Sequence, residues 1–137
     1  MKVHLFQRRF ARLVRQGTKR TTIRPRRKNP TRVGDALSLR AWSGKPYRSK
    51  QVTLLDGIVC TEVHDIEILR RSDWVSPTYY ESRVICRVDG NEVKSDLLRE
   101  GEWDRLAQAD GFKHAGDMLD WFIKEHGLPF SGDLIRW

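Results

Sequence analysis

The hydrophobic period of this 137-residue chain changes within a few residues of Gly17, and that change restricts the fold more than any other feature. Upstream, Phe6, Phe10, Leu13 and Val14 recur at i, i+4, i+7 and i+8, which predicts an amphipathic helix over about residues 4–16. Arg8, Arg9, Arg12 and Arg15 form its opposite face. Downstream, Arg-Thr-Thr-Ile-Arg at 20–24 is rich in β-branched residues and reads as a strand that Pro25 ends. Gly17 suits the position just past a helix, where a left-handed backbone is cheap only for glycine.

The remaining punctuation continues the alternation. Residues 26–32 make a basic loop, and Gly34-Asp35 opens a strand with Leu37, Leu39 and Ala41 on one face and Ser38, Arg40 and Trp42 on the other. A polar loop follows at 43–50. Residues 52–69 alternate imperfectly, with Asp56-Gly57 as a turn or a bulge. A strand is predicted over 79–88, and Asp89-Gly90 suits a tight hairpin into Glu92-Val93. Ser95 or Asp96 caps a helix that runs through Leu97, Leu98, Trp103 and Leu106 to about residue 109, where Asp110-Gly111 breaks it. A further helix covers 115–125, and residues 133–137 form a closing strand. The result is one α+β domain over 1–137, without repeats or low-complexity tracts. Trp74, Trp103, Trp121 and Trp137 are read as core.

Charge divides the chain sharply. Residues 1–50 hold sixteen Lys or Arg against one acid, Asp35, a net of +15, whereas residues 51–137 hold ten against seventeen, a net of −7. So many like charges repel one another without structural return, which points to a polyanionic partner. No apolar run approaches the roughly 18 residues of a membrane span, and the N-terminus lacks the apolar stretch of a secretory signal. Cys60 and Cys86 are far apart and read as reduced thiols in a cytoplasmic, reducing setting. The four histidines have no metal-ligand spacing, so neither a metal nor another cofactor is expected.

The junction itself carries candidate chemistry. Thr22 is a weak nucleophile unless a base takes its proton, and Lys19 serves as that base only where burial or nearby arginines depress its pKa. Arg24 can grip a phosphate or carbonyl oxygen with its planar fork. The plainer reading makes Lys19 and Arg24 solvated charges and Thr22 a strand former. In a regular strand Lys19 and Thr22 point to opposite faces, so they share a pocket only if Lys19 still belongs to the turn. Trp42, Tyr47 and Arg48 offer stacking surfaces beside basic residues, or else a half-buried strand residue and a loop anchor. The 26–32 loop, with the arginines of the first helix, forms a surface that could track phosphates.

Three segments together resemble the ASCH domain family, a branch of the PUA-like β-barrel superfamily. They are Phe6-Gln7-Arg8 with Gly17-x-Lys19-x-x-Thr22-Ile23-Arg24, then Gly34-Asp35-x-Leu37, and finally Leu106-Ala107-x-Ala109-Asp110-Gly111-Phe112 with Trp121-Phe122. The resemblance covers most of the chain and implies a small, partly open antiparallel or mixed β-barrel with flanking helices. It implies a cleft for RNA or a modified nucleoside, with Lys19, Thr22 and Arg24 on its floor, Trp42, Tyr47 and Arg48 on its wall, and Asp110 approaching from the helices. Arg8, Arg12, Arg26, Arg27 and Lys28 would contact the nucleic-acid backbone. One branch, amidohydrolases acting on acetylated cytidine, uses a Lys, a Thr and a Glu. Lys19 and Thr22 match the first two, and the glutamate falls at about Asp110, one methylene shorter. Other relatives are similar to ribonucleases or bind RNA without known chemistry. The expectation is a monomeric, cytoplasmic RNA- or nucleoside-binding domain, with the amidohydrolase, a ribonuclease and an adaptor for an acidic protein as alternatives.

Overall fold

The computed structural model of the chain describes residues 1–76, 79–94 and 101–137. It begins with a strand, β1 (Lys2–Phe6), and only then enters helix α1 (Arg8–Gln16). This corrects the helix expected from residue 4. Lys-Val-His-Leu-Phe alternates, with His4 and Phe6 buried, and pairs in parallel with β3 (Ala36–Trp42) from Lys2↔Leu37 to Phe6↔Ala41. Gln7 is extended at φ −63° and ψ 149°, so helical geometry starts at Arg8. Phe6 and Phe10 both reach the core from different elements, and their spacing only imitates one helical stripe.

The remaining elements are β2 (Thr21–Arg24), β4 (Gln51–Val59), β5 (Glu62–Ser76), β6 (Tyr79–Val88), β7 (Asn91–Glu92), α2 (Glu102–Ala109), α3 (Ala115–Glu125) and β8 (Phe130–Arg136). The described strands divide into two sheets, β1-β3-β4 and β2-β8-β5-β6-β7, and close no barrel. The α+β class holds, with one parallel pair in otherwise antiparallel sheets.

Several boundaries differ from the sequence reading for identifiable reasons. Residues 52–69 are two strands that turn at Cys60-Thr61, because Cys60 N–H bonds the Asp35 carbonyl and Thr61 N–H bonds the Arg136 carbonyl. Asp56-Gly57 is a bulge: Leu37 pairs with Ile58 and Ser38 with Asp56, leaving Gly57 unpaired at φ 69°. Asp89 and Gly90 both have positive φ, at 51° and 81°, and turn the chain into β7, which ends at Glu92. The helix before Asp110 starts at Glu102; Ser95, Asp96, Leu97, Leu98 and the side chain of Trp74 lie outside the described residues. The closing strand starts three residues earlier than read, at Phe130, because β8 pairs with both β5 and β2.

One continuous core joins the elements. Leu37 and Leu39 of β3, Ile66 and Ile68 of β5, Val14 of α1 and Met118 and Phe122 of α3 are fully buried. Each such side chain contributes about 1.5–3 kcal/mol. Cys60 and Cys86 are free thiols in this core, and burial pushes Cys86 up to about 12. At the α2–α3 corner the buried Asp104 carboxylate accepts the Ala115 N–H at 2.8 Å, which fixes the chain on either side of Asp110-Gly111. Among the described residues no helix is long and apolar enough to cross a membrane.

Candidate functional site

The turn after α1 builds the site. Gly17 adopts φ 77°, Lys19 N–H bonds the Leu13 carbonyl at 3.0 Å, and Arg20 N–H bonds the Ala109 carbonyl at 2.8 Å. Lys19 therefore belongs to the turn and lies outside β2. That resolves the parity problem, and Lys19 and Thr22 line the same cavity. The Lys19 stem passes over Gly111, where a Cβ would sit 3.1 Å from Lys19 Cδ and 3.2 Å from Phe10 Cδ1. Gly111 also holds φ 93°, so the backbone favours glycine and the tight space around it adds to that preference.

Lys19 Nζ is buried and donates to the Asp110 carbonyl at 2.5 Å and to Asp110 Oδ1 at 3.0 Å. The same Oδ1 accepts the Thr21 hydroxyl at 2.9 Å. Burial drives the Lys19 ammonium below its ordinary range; Asp110 partly restores it, and Arg24 and Arg9 depress it further. Burial likewise raises Asp110, against the pull of Lys19, Thr21 and Arg24. Phe10 and Phe6 present ring faces to the ammonium at 4.9 and 5.5 Å.

Thr22 does not join this pair directly. Its oxygen accepts Arg24 Nε at 3.0 Å, as residues two apart on one strand face permit. Arg24 also donates through Nη2 to the Leu5 carbonyl and lies 4.9 Å over the Phe6 ring. Its other N–H groups find no protein acceptor among the described residues. Burial, aided by Arg27, draws Arg24 down to about 10, with Asp110 and Tyr47 opposing.

These residues open on a cavity of about 510 Å³. This lies within the roughly 300–1,000 Å³ of small-molecule sites. Lys19, Thr22, Arg24, Asp110, Trp42 and Tyr47 all line it. Tyr47 is 87% exposed, is held at φ 63°, and meets Trp42 at 5.2 Å between ring centroids. Arg48 is exposed in the same loop but does not line the cavity. Of the residues expected on a phosphate backbone, Arg27 lines the cavity, while Arg8, Arg12 and Lys28 are exposed outside it. Arg26 turns away to bond Asp133, with Nε at 3.0 Å and Nη2 at 2.9 Å, and also Asp65.

Sequence reasoning missed much of the apolar wall. Phe10, Phe112, Trp121 and His126 also line the cavity. Trp121, read as core, is half-buried and packs on Phe10 and Phe112 at 5.9 and 5.6 Å. A signal was present: Trp121 and Glu125 stand at i, i+4 on α3, so one helix face carries both an aromatic and an acid into the cavity. Trp103 is a core residue as expected, and Trp137 packs edge-on against Phe6 at 6.0 Å. No group that could hold a metal ion occurs among the described residues. No family model, curated protein or solved structure matches the chain.

Proposed function

We propose that the chain is an ASCH-type, PUA-like domain of the cytoplasm that binds RNA or a modified nucleoside and takes one base into the cavity. The observation that carries this reading is the pairing of two desolvated cations, Lys19 and Arg24, with aromatic walls in one hollow of about 510 Å³. Burying a cation is costly unless something compensates it. Arg24 has no carboxylate within 4 Å among the described residues, so a ligand oxygen is the natural partner for its open N–H groups. Trp42 and Tyr47 at the mouth supply stacking faces, worth roughly 1–3 kcal/mol per base. Titrating ribonucleosides, acetylated cytidine and single-stranded RNA against tryptophan fluorescence tests the reading. Saturable binding that Arg24→Gln or Trp42→Ala weakens by about tenfold or more supports it. Binding indifferent to both substitutions counts against it.

A second reading has its own support. Lys19 has a depressed pKa, is fixed by Asp110 and shares the cavity with the Thr22 hydroxyl, which places a candidate general base and a hydroxyl in one hollow. In this reading Lys19 takes a proton from water or from Thr22 as it adds to the acetyl carbonyl of an acetylated cytidine. Arg24 holds the developing oxyanion, the carbonyl-carbon–nitrogen bond breaks, and the proton returns to the leaving amine. With water as the nucleophile, acetate and cytidine are released together; with Thr22, cytidine leaves first, and water then hydrolyses the acetyl-Thr22 ester to release acetate and restore the hydroxyl. Turnover that survives Lys19→Ala removes these roles.

A further inference from the structure

Arg24 and Arg27 form an unusual edge of the cavity. Both line it, and both line a small adjoining hole of about 10 Å³ between β1, β2 and β8. The two guanidinium charges repel, and Arg27 is the second cause, after burial, of the lowered Arg24 pKa. Asp110 offsets this only in part, and Glu125 lines the cavity without an ion pair to either guanidinium among the described residues. Asp133 also borders the small hole, but its Oδ1 accepts two bonds from Arg26, and Asp65 goes to Arg26 as well. Among the described residues neither Arg24 nor Arg27 has a carboxylate within 4 Å. Two like charges are thus held together beside an aromatic-walled hollow, with carboxylates committed to the arginine next to them.

Arg27 is also held in place. Its Nη2 donates to the Val3 carbonyl at 2.7 Å and faces His4 Nδ1 at 3.2 Å. A guanidinium can only donate, so His4 Nδ1 must accept. His4 Nε2 then carries the proton and donates to Thr31 Oγ1 at 3.1 Å. His4 is fully buried, and Lys2 Nζ bonds the Asn29 carbonyl nearby at 2.9 Å. The basic loop is therefore fastened to β1, and Arg27 reaches the cavity with its Nε and Nη1 hydrogens uncommitted among the described residues. A fork fixed in advance loses little entropy on meeting an oxyanion.

We infer that the Arg24–Arg27 edge is a phosphate-binding subsite, so that the ligand is a phosphate-bearing nucleotide unit and not a bare nucleoside, with His4 as the positioning residue behind Arg27. The inference rests on the nucleoside-binding reading for the base but stands on its own for the phosphate. The phosphate comes either from a free nucleotide or from an RNA phosphodiester, which share one chemistry.

Calorimetric titration at about 0.1 M salt separates the cases. The probes are the four ribonucleosides, their 5′- and 3′-monophosphates, unphosphorylated tetraribonucleotides and inorganic phosphate. A phosphate-bearing probe is expected to bind at least about tenfold more tightly than its parent nucleoside. Arg27→Gln, an exposed position whose change the fold tolerates, removes that advantage by weakening phosphate-bearing probes at least about tenfold more than it weakens nucleosides. His4→Phe keeps the ring volume, removes the acceptor, and produces the same selective loss; where it fails to fold, Arg27→Gln alone decides. A monophosphate advantage identifies a free nucleotide, and a tetranucleotide advantage identifies RNA. If nucleosides fail to bind while phosphates bind through Arg27, the base-binding reading falls and the subsite stands. Equal affinity with and without phosphate, equal weakening of both by Arg27→Gln, or no binding of any phosphate probe overturns the subsite.

Discussion

Gly111 shows how much the site depends on single residues. Its φ of 93° strains any other residue, and a methyl group there would press on Lys19 Cδ, 3.1 Å away, and on Phe10 Cδ1. Gly111→Ala is expected to cost about 1–3 kcal/mol in urea unfolding and to displace the lysine, lowering ligand affinity as well. The Lys19–Asp110 pair responds differently. Each partner compensates the burial of the other, so Asp110→Asn alone leaves a stranded amine and is expected to cost about 3–5 kcal/mol. Adding Lys19→Met removes the stranded group and should recover part of that loss, a non-additivity that a double-mutant cycle measures directly. His4 sets an acid limit. Burial first, then Arg24, Arg27 and Lys2, lower its pKa from 6.5 to about 3. Between those values the unfolded chain binds a proton that the folded chain refuses, so stability falls as pH drops through that window. Unfolding at pH 6.5 and at about pH 4.5 should differ by about 2–3 kcal/mol through this residue, less whatever local relaxation supplies, and His4→Gln should remove that component.

The β2–β8 pair is the element on which the cavity floor rests. Thr22 and Arg24 stand on β2, registered opposite Ile135 and Asp133 of β8. A Cβ at Gly132 would lie 2.2 Å from the Arg24 carbonyl oxygen, backbone that cannot swing aside. Gly132→Ala is therefore expected to destabilise by about 3 kcal/mol and to abolish ligand binding together with β2 pairing, which urea unfolding and nucleoside titration report in parallel. The elements differed in how much of them the sequence revealed. Residues 115–125 carried Met118, Leu119 and Phe122 at helical spacing before Gly127, and α3 covers that span. Residues 2–6 did not reveal themselves. Their alternation is only five residues long, and Phe6 falls by chance on the stripe of the following helix. The parallel partner that makes them a strand lies more than thirty residues away.

Over the whole molecule, the basic half is not one uniform surface. Arg26 is tied to Asp133 and Asp65, Arg9 faces Asp117 at 3.7 Å, and Lys2 fastens the 26–32 loop. Arg8, Arg12 and Lys28 remain exposed outside the cavity that holds Lys19, Arg24 and Arg27. RNA affinity is accordingly expected to fall steeply with salt. Replacing Arg8, Arg12 and Lys28 together with Gln should flatten the plot of log affinity against log salt by about 2, near 0.7 for each phosphate that these side chains neutralise. Fluorescence anisotropy on a labelled single strand provides the measurement, and an unchanged slope removes these three residues from the interface.

Local chemistry was enough to fix certain things about this protein: the helix-glycine-strand junction, the turn residues, and the concentration of positive charge in the first fifty positions. These depend on backbone preference and on composition, which neighbours in sequence determine. The meeting of Asp110 with Lys19, the choice of Thr21 as its second donor, the aromatic wall from α3 and the neutral His4 behind Arg27 were decided only by the tertiary structure. Those contacts join residues 91 positions apart in the Lys19–Asp110 pair and farther still in Phe10–Trp121, and their strength comes from the water that packing excludes, a quantity no local stretch of sequence contains.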